Sequence, residues 1–251
     1  MVRMIMHGCN GRMGQMITGI VDRDDEIRIV AGVDINDKQL NDYPVFKTIN
    51  EVNVEADVVV DFGATAAIDN LLSWCKNTKT PCVVCTTGLS EEQIANVSKT
   101  AESVAMLRSA NMSLGINTLI KLLKEAANVF APAGFDVEVV EKHHKMKLDA
   151  PSGTAIALAD AVNEARNNEY TYVYDRSGRR QVRDEKEIGI SAVRGGTIVG
   201  EHDVIFAGED EVITFSHTAY SRAVFAKGAI QAAKFLYNKE PGLYTMADVV
   251  K

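Results

Sequence analysis

Residues 4–21 read MIMHGCNGRMGQMITGIV. Met4-Ile5-Met6 is a short apolar run, His7 to Gly14 carries glycines spaced G-x-x-G-x-x-G, and Met13, Met16, Ile17, Ile20 and Val21 recur on one face of a helix. The expected order is strand, glycine-rich turn, helix. Glycine lets a backbone approach a phosphate closely, and the start of a helix offers unpaired amides and the positive end of its dipole. The glycine pattern alone also suits a plain strand-to-helix turn. A second strand, Ile27 to Val33, ends at Asp34, twenty residues after Gly14, where a dinucleotide-binding βαβ unit places an acid on the adenosine ribose hydroxyls. Element order and acid spacing together favour a dinucleotide.

An acid at Asp34 favours NADH, whereas a 2′-phosphate needs a cation, which Ile35-Asn36-Asp37 does not supply and Lys38 does. NADH and NADPH both stay open. Further strands are expected at Asp57 to Asp61 (DVVVD), Cys82 to Cys85 and Ala105 to Leu107, with helices around Ala66 to Lys76 and Glu91 to Ser103. The second of these helices opens with Ser90 and Gln93 in a capping-box pattern. Alternating strands and helices imply a parallel sheet. Phe62-Gly63-Ala64-Thr65 and Thr86-Thr87-Gly88 are then loops at the carboxyl ends of strands, either ligand-binding or ordinary turns.

Beyond the polar connector Ser109 to Gly115 the period changes. A helix is expected over Ile116 to Phe130, a strand over Asp136 to Val140 and a helix over Gly153 to Glu164. Extended stretches follow at Glu187 to Val193, Ile198 to Phe206 and Glu211 to Ala219, separated by turns such as Arg194-Gly195-Gly196. The polar stretch Glu164 to Asp184 is expected to be a mobile loop or an oligomer contact. A broadly apolar helix, Ser221 to Tyr237, is expected to pack back on the first domain. The fold class is α/β: a Rossmann-type parallel-sheet dinucleotide domain (1–114, joined by 219–251) and a second α+β domain (115–218) on a mostly antiparallel sheet.

The chain has 251 residues and a formal net charge of −7, which argues against a general nucleic-acid binder. Its apolar runs are far shorter than a membrane span, and no secretory leader pattern is seen, so the expected setting is the cytoplasm. Cys9, Cys75, Cys82 and Cys85 are then expected to stay reduced. Cys82 and Cys85 have the spacing of a zinc or redox pair, but on a buried strand residues three apart face opposite sides, which favours plain core cysteines. The five histidines show no metal-ligand spacing with acids or cysteines, so no metal site is expected.

The densest chemistry is EKHHKMKLDAPSGTA, residues 141–155. If the preceding strand continues through His143 and His144, the two rings point to opposite faces, and only one serves a given reaction centre. Lys145 and Lys147 would attract carboxylates, and histidine changes protonation near neutral pH. Ser152-Gly153-Thr154 heads a helix with an apolar stripe, an anion site if it is more than an ordinary cap. The functional reading is a pocket for a small dicarboxylate. His202 and His217 are weaker candidates, since a lone histidine is more often structural than a ligand.

HGCNGRMG, TTG at Thr86 to Gly88, Asn111-Met112-Ser113, HHKMKLDAPSGTA and RGGTIVGEH at Arg194 to His202 together resemble the 4-hydroxy-tetrahydrodipicolinate reductase family of the diaminopimelate and lysine pathway, over essentially the whole chain. The resemblance implies an NADH- or NADPH-dependent enzyme reducing a cyclic unsaturated dicarboxylate with loss of water. It implies His143 as proton donor or acceptor and Lys147 as second proton donor, with His144, Gly153 and Thr154 on the substrate. Gly8, Cys9, Asn10, Gly11, Arg12, Met13 and Asp34 would hold the dinucleotide, with Cys85, Thr86, Thr87, Ser109, Ala110, Asn111 and Met112 lining its nicotinamide side. The family is a homotetramer built through the second domain's sheet, so the same assembly is implied. His7 stands where a small residue commonly precedes the first glycine, and Phe62-Gly63-Ala64 replaces Phe followed by Thr or Ser. The other readings are a dehydrogenase of another amino-dicarboxylate and a redox-sensing binder without turnover; paired His143 and Lys147 argue against the binder.

Overall fold

The structure, a computed structural model, describes residues 1–109 and 111–250. In chain order the first elements are β1 (Val2–His7), α1 (Arg12–Val21), β2 (Ile27–Val33), β3 (Val45–Phe46), β4 (Val58–Asp61), α2 (Ile68–Thr78), β5 (Cys82–Val84), α3 (Glu91–Ala101) and β6 (Ala105–Arg108). Then come α4 (Leu114–Phe130), β7 (Asp136–His143), α5 (Gly153–Ala165), β8 (Thr171–Val173), β9 (Glu187–Arg194), β10 (Gly200–Ala207) and β11 (Val212–Ala219). The chain ends with α6 (Ala223–Leu236), β12 (Gly242–Tyr244) and α7 (Met246–Val249). Two compact units result: the chain through Ser113 together with the stretch from Ala223, and Leu114–Arg222.

The first unit is built on a seven-stranded sheet ordered β12-β6-β5-β4-β1-β2-β3, with every pairing parallel. Helices on both faces explain the unbroken apolar runs: Met4, Ile5 and Met6 of β1 and Val58 to Val60 of β4 have no exposed surface. Strand order runs outward in both directions from β1, so the carboxyl ends of β1 and β4 flank the switch point of the sheet. α6 belongs to this unit and packs against α1 and strands β4 to β6. Lys234 of α6 is anchored by Asp24, at 2.7 Å, and Glu26, at 2.7 Å.

The second unit has the sheet β11-β10-β7-β9-β8 under α4 and α5. Its inner face carries Val137, Val139, Ile188, Ile190, Val204 and Phe206 against Leu123, Leu158 and Val162. This sheet is mixed, not mostly antiparallel: β10 pairs antiparallel with β11 and β7, while β9 pairs parallel with β7 and β8. The period-2 pattern reports which face is buried and is silent on direction. β7 and β9 are separated by α5 and β8, and that long crossover returns β9 in the same direction. Nor does the turn at Arg194 to Gly196 close a hairpin, because β7 lies between β9 and β10.

The sequence pattern misses β3, β8, β12 and α7, which span only two to four residues each. The polar stretch 164–184 contains β8, and Arg176, Arg179 and Arg183 tie it to Glu138 and Glu187. All four cysteines are free and buried. The capping box at α3 is formed as its sequence indicates: Gln93 N donates to Ser90 Oγ at 3.2 Å and Ser90 N to Gln93 Oε1 at 3.1 Å, while Gln93 Nε2 reaches the carbonyl of Thr65 at 2.9 Å. Ser90→Ala is expected to cost about 1 kcal/mol and to lower the thermal midpoint by roughly 2–4 °C, measured by circular dichroism.

Candidate active site

In the first unit, β1 delivers the chain into the glycine turn at the switch point. Gly8 has φ 82°, and a Cβ there would lie 2.6 Å from the Phe62 carbonyl oxygen, so both backbone and space require glycine. The turn is clamped to the end of β2: Asn10 N donates to Asp34 Oδ2 at 3.0 Å and Asn36 N to Asp34 Oδ1 at 3.1 Å. Asp34 therefore fixes the turn itself, and each oxygen keeps a further lone pair for a ribose hydroxyl. Gly11 gives α1 no side-chain cap and its first turn holds no acid, which leaves the leading amides, those of Arg12 and Met13 included, to an anion. Asn10 Oδ1 is buried with no hydrogen-bond partner among the described residues. Crowded glycine and uncapped helix suit a dinucleotide diphosphate, and the orphaned acceptor suits a donor such as a ribose hydroxyl.

A cavity of about 420 Å³ opens beside this turn, lined among others by His7, Gly8, Asp34, Lys47, Phe62 and Ala64. The cation that lines this cavity with Asp34 is Lys47, which follows β3 and pairs with Asp37 at 3.5 Å. Lys38, the expected cation, is not in that wall; its carbonyl accepts from Asn10 Nδ2 at 2.9 Å. β3 is too short for periodicity to reveal, so Lys47 escapes a reading by motif.

At the heads of β4 and β5, Asp61 is buried and accepts three hydrogen bonds, from His7 Nδ1 at 2.7 Å, Gly63 N at 2.9 Å and Thr86 Oγ1 at 2.7 Å. Cys85 is buried, which pushes its thiol well above the ordinary value. Thr87 is exposed, Ser109 and Asn111 are half-buried, and Met112 is buried. Asn111 Oδ1 accepts from Ser113 N at 2.8 Å. Ala110 lies outside the described residues.

In the second unit the alternation of β7 carries chemistry onto the core-facing side. Val137 and Val139 face the helices, and period 2 places Glu141 and His143 on the same face. β10 does likewise with His202, which pairs in register with Glu141. His144 follows the end of β7 and is half-buried, so the two histidines play different structural parts.

Glu141 has no exposed surface. It accepts from Arg194 Nη1 and Nη2, each at 2.7 Å, from Ser152 N at 3.0 Å, and from His143 Nδ1 at 2.5 Å. Burial alone would raise its carboxyl, but the bonds from Arg194 and His143 hold it below the ordinary value. The same partnership raises the Arg194 guanidinium. With Nδ1 committed to a carboxylate, His143 keeps Nε2 for chemistry, as a second-partner hydrogen bond dictates in histidine sites. Ser152 caps α5 by accepting from Ala155 N at 3.1 Å, and its Oγ lies 3.1 Å from His202 Nε2. Gly153 and Thr154 form the exposed and half-buried head of that helix. Lys147 pairs with Asp149 at 2.9 Å and holds its carboxyl below the usual range. Among the described residues no cluster of three or more His, Cys, Asp or Glu is placed to hold a metal ion, and no helix is long and apolar enough to cross a membrane.

Glu141 and Arg194 stand in the quoted motifs without a role assigned to either, and Ser152, read as part of an anion site or an ordinary cap, is the N-cap of α5. The signal that finds them is the strand period, which turns Glu141 inward with His143.

Residues 2–112 match the N-terminal domain of dihydrodipicolinate reductase and residues 115–250 its C-terminal domain. The chain belongs to the dihydrodipicolinate reductase family. The 4-hydroxy-tetrahydrodipicolinate reductase of Caldanaerobacter subterraneus subsp. tengcongensis is 55% identical over 251 residues, covering 100% of this chain and 99% of that one. The enzyme of the same name from Clostridium botulinum is 45% identical, covering 100% and 98%. The solved dipicolinate-bound dihydrodipicolinate reductase from Paenisporosarcina sp. TG-14 superposes with a TM-score of 0.82 at 26% identity, covering 98% and 97%. This reductase converts 4-hydroxy-tetrahydrodipicolinate to tetrahydrodipicolinate with loss of water, in diaminopimelate and lysine biosynthesis, and its cofactor is a nicotinamide dinucleotide.

His202 is buried, and burial first, then the neighbouring His143, push it down from 6.5 to about 4. The unfolded chain therefore binds a proton that the folded unit refuses between those values, so stability falls as pH drops through that window. Thermal midpoints recorded from pH 7.5 to pH 4 are expected to decline, and His202→Asn is expected to flatten the decline.

Proposed function

We propose that His143 and Lys147 provide the protons of this reduction, that Gly153, Thr154 and His144 hold the carboxylates of the cyclic substrate, and that the glycine turn with Asp34 holds the dinucleotide. The observation that carries the reading is the bond from His143 Nδ1 to the buried Glu141, which fixes the ring and leaves Nε2 as its working nitrogen. The dinucleotide, when bound, supplies the hydride. Charge developing on the reduced ring system must be met by a positioned acid or cation. His143 is held through Nδ1 by the buried Glu141 carboxylate, and Lys147 is placed by Asp149. The head of α5 adds amides and a helix-dipole end suited to a carboxylate.

For cofactor choice, Asp34 serves the ribose hydroxyls of NADH and Lys47 the 2′-phosphate of NADPH, so both dinucleotides are accepted. The working form is a cytoplasmic homotetramer joined through the sheet of the second unit. The exposed apolar side chains Val193 and Val212 on that sheet support this.

His143→Gln is expected to lower kcat by about 100-fold or more, with the dinucleotide Kd unchanged in titration; unaltered turnover would remove His143 from the chemistry. Lys47→Ala is expected to raise the Kd for NADPH by about tenfold, the scale of one charged hydrogen bond, and that for NADH by much less. Asp34→Ala should weaken NADH more than NADPH, and equal losses would contradict the ribose assignment.

A further inference from the structure

We propose that His7 is a dinucleotide-contacting residue: held by Asp61 at the switch point of the parallel sheet, its ring donates from Nε2 to the diphosphate of the cofactor. The inference rests on the reading of the first unit as the dinucleotide site and adds to it a residue that the glycine motif does not contain.

Position is the first argument. His7 and Asp61 are register partners at the carboxyl ends of the adjacent parallel strands β1 and β4, and ligands of open parallel sheets bind outside the strand ends at such a point. The residue after His7 is Gly8, the first glycine of the turn, and His7, Gly8 and Gly11 line the same cavity as Asp34.

Hydrogen bonding is the second. Asp61 is 1% exposed and already accepts from a backbone amide and from the Thr86 hydroxyl, so it acts toward His7 as an acceptor and Nδ1 carries a proton. Nε2 has no hydrogen bond to any described residue, although the side chain is 6% exposed and forms part of the cavity wall. That edge opens to the cavity, where a bound acceptor can reach it. To donate, Nε2 carries the second proton, and the imidazolium is balanced by the Asp61 carboxylate. The other charged groups in that cavity are Asp34 and Lys47.

Neighbouring sequence is the third. A Cβ on Gly63 would lie 2.6 Å from His7 Nδ1 and 2.7 Å from its Cε1. The two unusual positions of this chain, His7 and Gly63, are therefore one feature: the imidazole occupies the space of a side chain after Phe62.

The test uses two amides that each reproduce half of the ring. Asn places its amide nitrogen near Nδ1, keeping the bond to Asp61 but removing the cavity-facing nitrogen; Gln reaches the position of Nε2 and gives up the bond to Asp61. Binding of NADH, ADP and adenosine is measured by calorimetry on the full chain, with thermal midpoints and steady-state kinetics. His7→Asn is expected to keep its thermal midpoint and to raise the Kd for NADH and ADP by about tenfold, the scale of a hydrogen bond to a charged group. Its affinity for adenosine should be unaffected, and the KM for NADH should rise more than kcat falls. His7→Gln is expected to lose thermal stability with the smaller loss of affinity. His7→Asn binding ADP as tightly as wild type would overturn the proposal, as would an equal loss for adenosine. Wild-type protein that binds neither NADH nor ADP would instead overturn the dinucleotide site itself, and the proposal with it.

Discussion

The ion pair between Glu141 and Arg194 is the constraint around which the second unit arranges its chemistry. A carboxylate with no exposed surface is tolerated only when its lone pairs are met. Here two guanidinium nitrogens, the amide that opens α5 and an imidazole meet them. One group thereby links three parts of the chain: the end of β7 with the ring of His143, the end of β9 and the loop before α5. Removing it would leave Arg194 half-buried without its counter-charge and free the ring to turn. The groups proposed to face the substrate are held by a buried carboxylate rather than by a flexible loop.

The first unit uses a related device. Asp61 sits at the end of a central strand, is buried, and accepts from an imidazole Nδ1, a backbone amide and a hydroxyl. In both units a buried carboxylate at or near the end of a strand, Asp61 of β4 and Glu141 of β7, orients a histidine by one nitrogen. The physical logic is the same: the strand fixes the backbone, the carboxylate fixes the tautomer, and the second nitrogen is left for a ligand.

The parallel sheet was legible in the sequence because its strands are buried on both faces and are punctuated by glycine turns and capped helices. The turn from Gly8 to Gly14, Asp34 and the Ser90 cap all announce themselves by spacing. His143, Lys147 and the head of α5 were legible because they lie in one short stretch. Direction in the second sheet was not, since alternation encodes only the face of a residue; β9 lies beside β7 because of a crossover, not a turn. Lys47 was hidden by the brevity of β3. Glu141 stood within the quoted stretch, yet its importance depends on Arg194, which is 53 residues away and reaches it only through the pairing of β7 with β9. Likewise His7 and Gly63 looked like two separate departures until their contact joined them.

The most direct test of this account is the turnover of Glu141→Gln, assayed with substrate generated in situ from pyruvate and aspartate semialdehyde, on protein shown by circular dichroism to be folded and by titration to bind NADH. If the buried carboxylate orients His143 for catalysis, kcat falls by about 100-fold or more while the NADH Kd stays at the wild-type value. Wild-type turnover in a folded Glu141→Gln variant would contradict the claim that this ion pair governs the active site.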